Sequence, residues 1–182
     1  MVQVPNLWFL RFVNMSLITI KNNQLIPYQE LSEDDSNYVL EMRNHPDVRQ
    51  WMFNKNKIEL FEHKAFIKSL IHDDSKKFFL IKSGSHIIGT INFSNIDHEK
   101  RVSDFGIYAN PFYKIKGRGK ILISSACRYA KNEIFLKKLF LEVYKNNIPA
   151  IGLYKKYGFV KTNSFAIEGL KMLTMCKNLI DE

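Results

Sequence analysis

Cysteine is scarce. The chain carries 2, Cys127 and Cys176, which excludes a disulfide framework and any thiolate cage for a metal. Both read as small buried hydrophobes rather than as a catalytic thiol. Its 5 histidines are dispersed, with no HExxH or similar pair, so no metal site is expected. Glycine (8) and proline (5) are few, and no repeat, low-complexity segment or interdomain linker breaks the chain. No apolar run is long enough to span a bilayer. The apolar start, Met1 to Val13, lacks a basic n-region and a small-residue cleavage site, and Arg11 interrupts it. The expected location is therefore the cytoplasm, with no membrane partner. Residues 1–14 are expected to be a non-essential extension, with Met15 an alternative start, and residues 15–182 a single domain.

What remains is a globular composition. The 182 residues are 46% hydrophobic, enough for one domain with a real core and too apolar for a disordered chain. Lys and Arg number 27 against 18 Asp and Glu, a net charge of +9. Such a surface attracts anions: nucleic acid, polyphosphate cofactors or nucleotide sugars. The basic residues are scattered rather than gathered in one arm, which speaks against nucleic acid.

Periodicity and turn residues give the order of elements. Leu17 to Ile20 reads as a short strand. Ser32 can cap a helix running to Arg43, with Asp34 and Asp35 favourable in its first turn, and Pro46 closes that region. Apolar residues at Leu60, Phe61, Phe66, Leu70 and Ile71 form a helical stripe within Ile58 to Ile71. Lys77 to Lys82 and His86 to Phe93 form a hairpin about Gly84-Ser85, and Arg101 to Ala109 is the next strand. A helix is expected from Lys120 to Ile134, a strand from Lys138 to Tyr144 and a helix from Ile148 to Tyr157. Phe159 to Ala166 and Lys171 to Cys176 close the chain as a strand pair. The fold class is α/β (α+β), a sheet with helices on both faces.

Two segments carry chemistry. The first, between a strand and a helix, contains Lys114, Lys116, Gly117, Arg118, Gly119 and Lys120. Its glycines let backbone N–H groups turn inward and approach an anion, and the helix adds its free N–H groups and positive dipole end. A diphosphate suits this site better than a base edge. It lacks the GK[ST] ending of a Walker loop and the glycine spacing of a dinucleotide fold. On composition alone a solvated basic loop reads equally well. In the second segment Asn147 can cap a helix, Pro149 is tolerated in its first turn, and Gly158 ends it. Ala150, Leu153, Tyr154 and Tyr157 share a face, which by periodicity alone reads as core.

The two patterns together are more specific. Asn147-x-x-Ala150-x-x-Leu153-Tyr154-x-x-x-Gly158-Phe159 resembles the second acetyl-CoA motif of the GNAT superfamily of N-acetyltransferases. Lys114-x-x-Gly117-x-Gly119 resembles the first, with Lys in place of the usual Arg or Gln. The likeness runs from about Leu17 to Cys176. It implies a central mixed, mostly antiparallel sheet, splayed between the fourth and fifth strands of the order above. It implies acetyl-CoA as co-substrate, with its pyrophosphate on the amides of Gly117 to Lys120. Its pantetheine arm would lie along the backbone of Ile107, Tyr108 and Ala109, in contact with Asn147. Tyr154 would protonate the departing thiolate, a role a phenol's weak acidity suits. A neutral amine would attack the thioester directly in a ternary complex.

Something must take the amine's proton. Glu142, on the strand face shared by Phe140 and Tyr144, is the candidate base, acting through a water. The acceptor is expected at the segment after the first helix, where Arg43, Asn44, His45, Trp51, Met52 and Phe53 cluster, followed by His63. Arginine, histidine and aromatics suit a charged, partly planar ligand. RNHPDVRQWM, EHKAFIKSL, FGIYANP and LEVYKNN are similar to the branch of the family that acetylates nucleotide-linked amino sugars for pseudaminic acid, a sugar that decorates flagellin. That likeness implies the 4-amino group of UDP-4-amino-4,6-dideoxy-N-acetyl-β-L-altrosamine as acceptor. It matches Glu142 and Tyr154 to base and acid, and sets Met52, Phe53 and Tyr144 around the 6-deoxy methyl group. Two rivals remain: another amine acceptor, such as a protein N-terminus or a polyamine, and a non-catalytic module binding nucleic acid. A polyamine site should be acidic, which the chain's basicity disfavours.

Overall fold

The computed structural model describes residues 18–20 and 22–179. The expected extension at residues 1–14, the start at Met15 and the strand residue Leu17 lie outside them. Strands β1 (Ile18–Ile20) and β2 (Asn23–Pro27) lead into α1 (Glu33–Asn44), α2 (Pro46–Arg49) and α3 (Leu60–Ser69). A meander follows: β3 (Lys77–Ser83), β4 (His86–Asp97) and β5 (Val102–Ala109). Then come α4 (Arg118–Asn132), β6 (Lys138–Tyr144), α5 (Ile148–Lys156), β7 (Val160–Ile167) and β8 (Leu170–Asn178).

Local chemistry sets the helix ends. Ser32 accepts a hydrogen bond from the Asp35 amide, 3.1 Å, ahead of three acidic residues in the first turn of α1. The Glu62 side chain reaches back to the Glu59 amide, 2.8 Å, at the start of α3. Asn147 accepts from the Ala150 amide and Pro149 follows in the first turn of α5.

The strands form one eight-stranded sheet in the order β1-β2-β3-β4-β5-β6-β8-β7. All neighbours are antiparallel except β5 and β6, which run parallel. Alternation along β3 divides the core. Phe79 and Ile81 face a cluster with Leu122, Ile123 and Ala126 of α4, while Leu80 faces Val39 and Met42 of α1. Helices thus cover both faces. Lys82 and Asp35, 2.6 Å apart and mostly shielded, tie α1 to the sheet.

The expected splay is between β5 and β6, the fourth and fifth strands of the sequence reading; β2 had no counterpart there and shifts the count. Their pairing is confined to Val102–Asp104 with Lys138–Phe140. Beyond Asp104 the rest of β5 pairs with β4 alone. The β6 edge continues to Tyr144 by pairing with β8. The sheet therefore opens into a V at its centre, with backbone groups bare on one side of Phe105–Ala109.

Candidate active site

One cavity of about 1360 Å³ fills this V. That is more than a single drug-sized ligand requires. Into it face the open edge of β5 at Ile107, Tyr108 and Ala109, the loop at Lys114 and Gly117, and the first turn of α4 at Arg118, Gly119 and Lys120. From the other arm come Glu142 and Tyr144 of β6, and Asn147, Ala150 and Tyr154 at α5.

The loop between β5 and α4 is built to end in free amides. Gly117, at φ +81°, turns the chain in the left-handed region, and no side chain caps α4. The Arg118 amide donates to the Ile115 carbonyl at 3.3 Å, and the N–H groups of Gly119 and Lys120 are left for whatever enters the cavity. Gly119 has a different reason to be glycine: a Cβ there would lie 2.7 Å from Leu153 Cδ2, so α4 and α5 meet at this point. Arg118 braces the loop, its Nη1 donating to the Asn110 carbonyl at 2.6 Å. Lys114 and Lys120 line the cavity without an ion pair among the described residues.

Tyr154 is 7% exposed and packs edge-on against Phe159, ring centroids 5.7 Å apart. Burial pushes its phenol up to about 12, so it stays protonated at any physiological pH. Glu142 is exposed to the cavity, and its carboxyl is raised above the usual range by partial burial and then by the charge of Asp104. A protonated phenol and a carboxyl of raised pKa thus line one cavity, beside a helix N-terminus with free amides.

The comparisons with known proteins fit this geometry. The family model described as Acetyltransferase (GNAT) family matches residues 31–159. The chain belongs to the GNAT family of acetyltransferases. It is 36% identical over 143 residues to Acetyltransferase PseH of Campylobacter jejuni, covering 79% of this chain and 85% of that one. It is 28% identical over 134 residues to Spermidine N(1)-acetyltransferase of Escherichia coli K12, covering 74% and 72%. The crystal structure of C. jejuni PseH in complex with acetyl coenzyme A aligns with TM-score 0.66 and 28% identity, over 84% of this chain and 96% of that one. Spermidine N-acetyltransferase from Vibrio cholerae, in complex with CoA and spermine, shares the fold at TM-score 0.78 with 23% identity, over 87% and 96%. This GNAT chain is an acetyl-CoA-dependent N-acetyltransferase. No group of three His, Cys, Asp or Glu able to hold a metal occurs among the described residues.

The residues expected on the acceptor side fall into two sets in the structure. Arg43, Trp51, Met52, Phe53, His63 and Tyr144 line the cavity. Tyr144 organises the aromatic wall: its ring lies 6.2 Å from Trp51 and 6.3 Å from Phe53, and its hydroxyl donates to the Met52 carbonyl at 3.4 Å. Phe53 is 62% exposed, the kind of apolar surface a ligand can cover. Arg43 donates to the Asn54 carbonyl, 2.8 Å, while its Nη1 is buried with no partner among the described residues.

Asn44 and His45 do not line the cavity; their side chains hold the backbone. Asn44 bonds both the carbonyl and the amide of Ile58, each at 2.8 Å, closing the 45–57 segment into a loop. His45 caps α2 through the Asp47 amide and meets the Phe112 ring edge-on at 5.1 Å. His63 lines the cavity, yet its Nε2 is spent on the Ser36 carbonyl, 3.0 Å, pinning α3 to α1. Burial lowers its pKa, which favours the neutral ring that donates this bond.

Sequence reasoning missed the polar floor. Thr90, Asn92 and Ser94 of β4 pair in register with Tyr108, Gly106 and Asp104 of β5, on the face that carries Glu142. Asp104 lies opposite Phe140, two positions from Glu142 on the same side of the sheet. Tyr28 adds its hydroxyl 3.3 Å from that of Tyr108. The period-2 pattern of β4 carried the signal, but pairing β5 with β6 required the parallel register, which no local pattern encodes.

Proposed function

We propose that this enzyme transfers the acetyl group of acetyl-CoA to the 4-amino group of a UDP-linked 4-amino-4,6-dideoxy sugar, UDP-4-amino-4,6-dideoxy-N-acetyl-β-L-altrosamine, in pseudaminic acid biosynthesis. The observation that carries this reading is the acceptor wall. Trp51, Phe53 and Tyr144 offer ring faces to a sugar and its deoxy methyl group. Arg43 sets a partly desolvated guanidinium at the same end. A polyamine, cationic along its length, would lie against that charge at a cost; an anionic nucleotide sugar would not. The 36% identity to PseH supports the same branch.

In this reading the turn at Gly117–Lys120 receives the pyrophosphate of acetyl-CoA on the free amides of Gly119 and Lys120, helped by the Lys114 and Lys120 side chains. The bare edge of Ile107–Ala109 receives the pantetheine arm by strand-like hydrogen bonds, with Asn147 and Ala150 on its other side. Glu142 draws a proton from the acceptor ammonium, directly or through one water. The neutral amine attacks the thioester carbonyl, the carbon–nitrogen bond forms, and the carbon–sulfur bond breaks. Tyr154 gives its phenolic proton to the departing thiolate. Its high pKa keeps that proton in place until charge develops on the thiolate.

A second reading, acetylation of another amine such as spermidine or a protein N-terminus, draws on the carboxylates of Asp47, Asp104 and Glu142 on the cavity wall. The test is product analysis. Protein, acetyl-CoA and the UDP-linked amino sugar are mixed and the product is examined by NMR for an N-acetyl group at C4. Turnover of spermidine or a peptide with none of the sugar would favour the second reading.

A further inference from the structure

A second, smaller hollow of about 390 Å³ adjoins the acceptor wall. It shares Trp51 and Tyr144 with the large cavity, so the two meet at the same pair of rings. Three segments distant in sequence build it: the loop after α2, the β6–α5 turn and the β7–β8 hairpin. They bring Gln50, Lys55, Lys145 and Lys171 to its rim, and no carboxylate lines it. Lys145 and Lys171 are held side by side, the Lys145 amide donating to the Lys171 carbonyl at 2.8 Å. Lys55 Nζ lies 5.3 Å from the centre of the Tyr144 ring. None of the three ammonium groups is in an ion pair among the described residues. Uncompensated cations gathered at one hollow on this scale suit a ligand with more than one negative charge.

We infer that this basic hollow holds the diphosphate of a nucleoside diphosphate, the nucleotide portion of the acceptor that stays attached to the sugar throughout, while its amino end reaches Glu142 in the large cavity. The inference rests on the nucleotide-sugar reading and adds where the nucleotide lies. The polarity of the site matches such a molecule. Carboxylates at Asp104 and Glu142 stand on the sheet face where an ammonium would deliver its proton, and lysines stand beyond Tyr144 where phosphates would end. Trp51 lies between the two regions, exposed enough to stack on the nucleobase or the sugar face. The phosphates of acetyl-CoA are the competing source of the same charge, and the loop at Gly117–Lys120 is on the other side of the splay.

The experiment uses the whole protein and a variant with Lys145→Ala and Lys171→Ala, both exposed side chains outside the proposed acid–base pair. UDP binding is measured by calorimetry, acetyl-CoA binding likewise, and KM for the UDP-linked amino sugar by turnover. The expected result is a loss of UDP affinity and a rise in KM of about tenfold or more, as for lost charge-assisted contacts. Affinity for acetyl-CoA and kcat should hold. Equal UDP affinity in variant and parent overturns the inference, as does a loss confined to acetyl-CoA. Circular dichroism and retained acetyl-CoA affinity show that the variant folds. If the parent turns over no UDP-amino sugar, the acceptor reading fails on its own, and UDP binding still decides the hollow.

Discussion

Asp104 and Glu142 stand on the same face of neighbouring strands, Asp104 at the last rung where β5 and β6 pair and Glu142 two positions beyond it, and Asp104 adds its charge to the burial that raises the Glu142 carboxyl. A base with a raised pKa holds the proton it takes more firmly, and it is lost to protonation at a higher pH. Below that pKa the fall of log kcat/KM with pH should steepen, beyond the slope set by the amine itself. Asp104→Asn removes the like charge and lowers the Glu142 pKa. The steepening should therefore move to lower pH, with kcat near neutrality little changed. Parallel pH profiles of the two proteins check this; superimposed acid limbs would detach Asp104 from the base.

Tyr154 and Glu142 should have separable defects. Tyr154→Phe keeps the ring against Phe159 and most of its packing, so stability should change little. It removes the proton donor, and kcat should fall by ~10²–10⁴-fold, the usual worth of a general acid. Glu142→Gln should fall similarly at neutral pH and recover in part under alkali, where more of the amine is neutral. The Phe variant should not recover. Recovery by Phe instead of Gln would reverse the two roles.

Gly119 separates packing from binding. A methyl group there meets the flexible end of the Leu153 side chain, which can turn aside, so Gly119→Ala should change stability by less than about 1 kcal/mol while moving that side chain against the start of α4. Adding Leu153→Ala should restore acetyl-CoA affinity if the defect is steric. Lys120→Glu leaves that contact alone and should weaken acetyl-CoA binding through charge, less so at high salt. Thermal melts and calorimetry on the three proteins distinguish the effects.

If residues 1–14 are the non-essential extension expected from the sequence, their deletion should leave both melting temperature and kcat/KM unchanged. A truncated protein that melts lower would give that segment a place in the fold.

The parts of this molecule that announce themselves in sequence are those fixed by local chemistry. β6 runs from Lys138 to Tyr144 as expected, because its open and buried sides alternate from Lys138 to Val143 before Tyr144 is buried as well. The Ser32 and Asn147 caps fall where a polar residue precedes an apolar period. β2 did not announce itself: in Asn23–Pro27 Leu25 alone is fully buried, and the strand depends on its register with β3. β4 runs on to Asp97, past the expected end at Phe93, because the irregular pairing between Ser94 and Asp97 keeps it on β5. Among the residues that line the cavity, Gly117 and Tyr154 were singled out by motif spacing. The structural duties of Asn44 and His45 were not, because they depend on a loop closing through Ile58 and on a ring at Phe112, far away in the chain.

The acceptor is the centre of the account, and a single competition measures it. The purified protein is given acetyl-CoA with equal concentrations of UDP-4-amino-4,6-dideoxy-N-acetyl-β-L-altrosamine and spermidine, and both products are followed by mass spectrometry. The ratio of initial rates is the ratio of the two kcat/KM values. The cationic, aromatic acceptor wall predicts acetylated sugar as the dominant product by at least about a hundredfold, a difference of roughly 2.7 kcal/mol. Acetylspermidine as the dominant product would contradict it and leave an acetyltransferase whose carboxylates, not its arginine and rings, choose the substrate.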